Sequence, residues 1–207
     1  MDLFGIETIL AFISASVVLS LVPGPDNIFV LTQSAIRGRG VGILTTLGLC
    51  SGLIVHTVLV SLGVAVIFQT SQLAFQGLKI IGACYLVFLA YRAMKSESID
   101  LKDSDKPKKP FYLTGVVMNL TNPKVAIFFL VFLPQFVNID SGRVSTQMFV
   151  LGLIFTLCAL CVFSFIAYLS SFLKPLLSKS PALVKRLNIF AAFVYVALAL
   201  NLLFISV

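Results

Sequence analysis

The chain has 207 residues, 59% of them hydrophobic and only 11% charged, with a mean hydropathy of +1.07. That composition excludes an ordinary water-soluble domain. A formal charge of +7 would suggest a nucleic-acid partner for a soluble protein, but in an apolar chain its distribution sets orientation in a lipid bilayer, and no nucleic acid is expected.

The head of the chain carries Asp2 and Glu7 where a secretory signal has Lys or Arg, and no A-x-A pattern precedes Pro23. The first apolar segment is therefore expected to be retained, as a span over residues 8–36. It is interrupted at Leu21-Val-Pro-Gly-Pro-Asp-Asn27. Pro23 and Pro25 remove donors that would serve the carbonyls of Leu19 and Leu21, and Gly24 adds backbone freedom.

A second span is predicted over 41–68. It contains Gly48-Leu-Cys-Ser-Gly52 and, near its centre, the only histidine, His56. The first motif is similar to that of intramembrane serine proteases, but Leu49 stands where glycine is required, so an enzyme is not expected. For His56 a proton relay and a packing role are both open.

A third span, 73–91, leads into a Lys-rich connection over 93–110, which reads as a solvated linker. A fourth span, 111–137, is broken at Asn119-Leu-Thr-Asn-Pro-Lys124. There Asn122 suits a helix cap and Pro123 a first helical turn. The fifth and sixth spans are 145–172 and 187–206. Cys158 and Cys161 share a helix face in the fifth, but without His or carboxylate partners they predict no metal site, and no cofactor is expected. All four cysteines fall in apolar segments and read as small apolar residues.

Sorted by side, Arg37, Arg39, Arg92, Lys95, Lys102, Lys106, Lys108, Lys109, Lys174, Lys179, Lys185 and Arg186 face Lys79 and Arg143. Twelve against two places the first set in the cytoplasm and both termini outside. The expected architecture is all-α: one transmembrane domain, 1–207, of six helices. A first repeat over about 1–92 and a second over about 111–207 each contribute three helices, and because three is odd they enter the membrane in opposite senses. Sequence echoes agree: Pro25-Asp26 with Pro123-Lys124, Arg39 and Gly48 with Arg143 and Gly152, and Tyr85 with Tyr195.

Transporters of inverted repeats bind substrate where interrupted helices meet near mid-membrane. Both breaks here lie roughly 18 Å along a helix from the cytoplasmic boundary, and each is followed by an ionisable residue that is costly in hydrocarbon. The predicted substrate site is Pro23, Gly24, Pro25, Asp26, Asn27, Asn119, Asn122, Pro123 and Lys124. The Asn122 half-helix and Lys124 suit a carboxylate, and Asp26 with the freed carbonyls suits an ammonium or a proton. Asp26 and His56 are the candidates for proton coupling. A structural alternative has Asp26 capping its own half-helix and Lys124 paired with it.

At Leu21–Asn27, Gly48–His56, Gly82-Ala-Cys-Tyr-Leu86 with Tyr91-Arg92, Asn119–Lys124 and Phe132-Leu-Pro-Gln-Phe136, the sequence resembles the LysE-type amino-acid exporters. The resemblance covers nearly the whole chain and is nearest to the branch exporting homoserine, homoserine lactone and threonine. It implies proton-driven efflux of a small amino acid through a bacterial inner-membrane protein, with a homodimer as one working form; the shared motifs do not choose among homoserine, threonine, leucine or a basic amino acid, and a pocket of one acid and one base favours the neutral ones. Two rival classes are a cation exporter of related fold, which calls for several intramembrane carboxylates where this chain has Asp26 alone, and a nontransporting membrane protein.

Overall fold

In the computed structural model the described residues are 3–64, 72–96, 110–138 and 142–204. The linker charges predicted at Lys102, Lys106, Lys108 and Lys109, and the span ends 65–68 and 205–206, lie outside them.

Helix α1 (Ile6–Leu21) ends where the two prolines withhold their N–H groups, and α2 (Pro25–Arg37) restarts with Pro25 in its first turn, bent 59° away. Gly38, at φ +93°, reverses the chain into α3 (Arg39–Leu59), which runs on through a π-helical turn at Val60–Val64. Helix α4 (Gln72–Lys95) follows. The second break separates α5 (Phe111–Leu120) from α6 (Pro123–Ile127), which continues as a π-helical turn (Phe128–Phe132) and a 3-10 turn (Leu133–Phe136), the whole bent by 50°. Helices α7 (Val144–Lys179) and α8 (Pro181–Phe204) complete the chain.

Four helical stretches among the described residues are long and apolar enough to cross a membrane, and six spans result when each bent pair counts as one. The last two helices exceed their predicted spans. Helix α7 continues to Lys179 and α8 begins at Pro181, so Ser180 alone separates them, its Oγ accepting from the Leu183 N–H at 3.3 Å. Hydropathy marks the part of a helix that lipid covers, whereas backbone hydrogen bonding carries the helix on into polar residues.

Large apolar side chains cover the outside, and polar side chains are buried among the apolar core. Ile6, Leu73 and Phe204 are 75%, 85% and 81% exposed, while Asp26, Gln33, Thr45, Thr46, Asn119 and Gln147 are buried. Hydrocarbon is the solvent that suits such a surface.

The tightest crossing joins α3 to α5. A Cβ on Gly48 would strike the Tyr112 carbonyl, one on Gly115 would meet the Thr45 carbonyl and the Leu49 nitrogen, and one on Gly52 would lie 2.6 Å from Asn119 Oδ1. Small residues four apart let the two backbones approach, which accounts for the protease-like Gly48–Gly52 spacing as helix packing. Helix α7 packs on α1, α2 and α3, whereas α4 and α8 pair with one another beside this group. Both helix breaks face the space between the two groups.

Candidate functional site

Each break leaves backbone groups without helical partners, and side chains from elsewhere take them up. At the second, Asn122 Oδ1 caps α6 by accepting from the Lys124 N–H at 3.0 Å. At the first, Asn27 Nδ2 donates to the Ser20 carbonyl at 2.6 Å. Lys124 reaches across from the second break: its Nζ donates to the Leu19 carbonyl at 3.1 Å and the Val22 carbonyl at 3.0 Å. Leu19 is one of the two carbonyls that the prolines are expected to free. The other bond goes to the buried Val22 rather than to the half-exposed Leu21.

Asp26 lies one residue into α2 and is 3% exposed. It does not cap its own helix; Gly24 stands at that position without a side-chain bond. Instead Asp26 Oδ2 accepts from Asn119 Nδ2 at 3.3 Å, while Asp26 Oδ1, Asn119 Oδ1 and Ser20 Oγ are buried without a partner. His56 is one step further away: its Nε2 is 3.4 Å from the Asn119 backbone carbonyl, and its ring lies 5.7 Å from that of Phe129. A carbonyl only accepts, so this contact calls for a proton on Nε2.

Two cavities meet here. A void of about 20 Å³, room for one water-sized group, is lined by Ser20, Asp26, Asn27, Asn119 and Phe155 among others. A larger cavity of about 480 Å³ runs between the breaks and the α4–α8 pair, from Pro23, Pro25 and Pro123 past Tyr85 and Tyr195 to Arg92 and Asn188. Gly24, Asn122 and Lys124 line both and form the partition between them. Asn188 Nδ2 donates to the Ser96 carbonyl at 2.7 Å and fixes α8 to the end of α4 at the mouth.

On the opposite side of the small void the path is filled with rings. Phe155 stacks on Phe128 with centroids 4.5 Å apart, Phe128 on Phe132 at 5.0 Å, and Phe132 on Phe136 at 5.2 Å, with Phe12 closing on Phe136 at 5.0 Å. Phe136 lines a shallow depression beside Glu7 on the far surface. The small void is thus flanked by an aromatic column at one end and parted from the wide cavity at the other by Gly24, Asn122 and Lys124.

The residues singled out in the sequence converge, with His56 set one residue behind. Sequence reasoning did not select Ser20, Tyr85, Leu89, Arg92, Phe155 or Tyr195. Tyr85 and Tyr195 carry a signal, as matching positions of the two halves.

A family model described as LysE type translocator matches residues 17–206. The chain is similar to a leucine efflux protein of Klebsiella pneumoniae, 28% identical over 203 residues and covering 96% of each chain. It is 25% identical to a leucine efflux protein of Salmonella typhimurium, again over 96% of each. An uncharacterized membrane protein of Bacillus subtilis, YrhP, is 28% identical over 186 residues, which is 84% of this chain and 88% of the relative. No solved structure matches.

Proposed function

The chain belongs to the LysE type translocator family, and from that premise we propose that it exports small neutral amino acids or their derivatives from the bacterial cytoplasm across the inner membrane. The substrates are of the homoserine, homoserine lactone or threonine kind that the sequence resemblance implies. The leucine efflux relatives add leucine to that set. One observation carries this reading: Asp26 and Lys124, from breaks in different halves of the chain, line the same void.

An α-amino acid presents an ammonium and a carboxylate on one carbon, so its site needs an acid and a base at short range. Asp26, with Oδ1 unpartnered, takes the ammonium. Lys124 uses two of its three N–H donors on the Leu19 and Val22 carbonyls and has one left for a carboxylate in the larger cavity. Proton coupling follows from competition. One carboxylate holds either the substrate's ammonium or a proton, which makes export in exchange for proton entry the natural cycle, with His56 assisting through Asn119.

The cavity that ends at Arg92 opens to the cytoplasm by the positive-inside rule, with both termini outside. Opening of the aromatic column on the other side then completes alternating access. Matching bends at the two breaks and close-packed glycines at Gly48 and Gly152 support the inverted repeat.

The test loads cells with dipeptides that release candidate amino acids inside. Faster external accumulation of a neutral amino acid, lost in Asp26→Asn, is expected. No release above vector controls from a correctly inserted protein would overturn the reading.

A further inference from the structure

Resting on that reading, we propose that Tyr85, Leu89, Ile28 and Tyr195 form the subsite for the substrate's side chain, and that Arg92 and Lys124 at its two ends exclude cationic side chains. The small void, at about 20 Å³, holds an ammonium and nothing larger. With the ammonium there and the carboxylate on Lys124, the rest of the substrate has only the 480 Å³ cavity to enter. That volume lies within the range of small-molecule sites.

The cavity wall has two characters. Its middle is apolar and aromatic: Ile28 from α2, Leu89 and Tyr85 from α4, and Tyr195 from α8, the last 4% exposed. This surface accepts an aliphatic or hydroxylated side chain and gains from its burial. Both ends are positive. The Lys124 ammonium stands 5.9 Å from the Tyr195 ring centre, the Arg92 guanidinium 5.9 Å from that of Phe88 near the mouth, and no Asp or Glu lines the cavity among the described residues.

A lysine or ornithine side chain would place its ammonium between two cations, with no carboxylate among the described lining residues to receive it. Discrimination of this kind works by repulsion, and like charges brought together in a site separate substrates by an order of magnitude or more. An apolar wall puts no such penalty on a neutral side chain, since a methylene more or less changes only how much apolar surface is buried. The exporter is therefore broad among neutral amino acids and closed to basic ones.

Counterflow into proteoliposomes containing the full chain tests this, with radiolabelled leucine, threonine and lysine as probes. For the unaltered protein, leucine and threonine are expected to exchange at least about tenfold faster than lysine. Leu89→Asp places a carboxylate on the cavity wall and is expected to raise the lysine-to-leucine ratio about tenfold or more; Arg92→Glu, at the exposed mouth, shifts it the same way and serves if Leu89→Asp does not fold. Lysine exchange equal to leucine in the unaltered protein would overturn the inference. So would a ratio unmoved in both variants while leucine exchange persists. Absence of exchange for every amino acid would instead overturn the exporter reading itself, and this inference with it.

Discussion

Asn119 and Asp26, 93 residues apart, are joined by one hydrogen bond of 3.3 Å, and its two flanking oxygens, Asp26 Oδ1 and Asn119 Oδ1, are buried without partners. The bond ties the last turn of α5 to the first turn of α2. It holds the Asp26 carboxylate in place, beside the Asn122 side chain, and in the proposed reading the second oxygen receives a donor from outside the protein.

Removing that tie should cost transport more than folding. Asn119→Ala deletes the donor and leaves Asp26 buried without this partner, an effect of about 1–3 kcal/mol. Export in the dipeptide assay is expected to fall at least tenfold while membrane insertion persists, and unchanged export would show that Asp26 needs no positioning from α5.

Lys124 serves the fold as well as the site, because its ammonium satisfies two carbonyls at the other break. Lys124→Met abandons both and is expected to lower the thermal unfolding midpoint in detergent as well as abolish export, at about 1–3 kcal/mol for each abandoned group. Lys124→Arg, which keeps the charge, should recover most of the stability but less of the export, since the broader guanidinium alters the partition between the cavities.

Gly52 sets how closely Asn119 can lie against α3. A Cβ there would sit 2.6 Å from Asn119 Oδ1 and 2.7 Å from its Cβ, so Gly52→Ala must displace the side chain that holds Asp26. Export is expected to fall with the apparent affinity for substrate. Gly77, with nothing within 4 Å, is the control: Gly77→Ala should leave export intact and stabilise its helix by about 0.5–1 kcal/mol.

The aromatic column offers a different readout. Phe155 touches the rings of Phe128 at 4.5 Å and Phe129 at 5.4 Å and also lines the small void. Phe155→Leu thins the seal with a modest loss of packing. Efflux after collapse of the proton gradient is expected to rise severalfold over the unaltered protein. If leak and driven export stay in their original ratio, the exit path lies elsewhere.

Orientation is open to a direct measurement in a chain whose four native cysteines are replaced. Ser145→Cys and Lys179→Cys lie at opposite ends of α7, both exposed. A membrane-impermeant maleimide applied to intact cells should label the first and spare the second. The reverse pattern would place the mouth of the larger cavity on the external face and overturn the orientation read from the charges.

Much of this was legible in the chain. Four unbroken apolar spans, two more interrupted at proline breaks, and a lone acid and base beside those breaks are linear properties: hydrocarbon thickness, missing backbone donors and the cost of intramembrane charge each act on a short stretch of sequence. The cap at Asn122 and the freed Leu19 carbonyl were readable for the same reason. What the sequence left open was who answers whom across space. Lys124 reads as a carboxylate receptor, yet it spends two of its donors on Leu19 and Val22. Gly48 and Gly52 read as a damaged protease motif, yet they are the face on which α5 packs. Asn119 is one asparagine among several until α2 and α5 cross and set it against Asp26. Arg92 looks like a boundary charge until the pairing of α4 with α8 sets it at the mouth of the larger cavity. These relations join residues tens of positions apart, and only the packing of the helices, driven by close approach at small residues and by the demand that buried polar groups find partners, decides them.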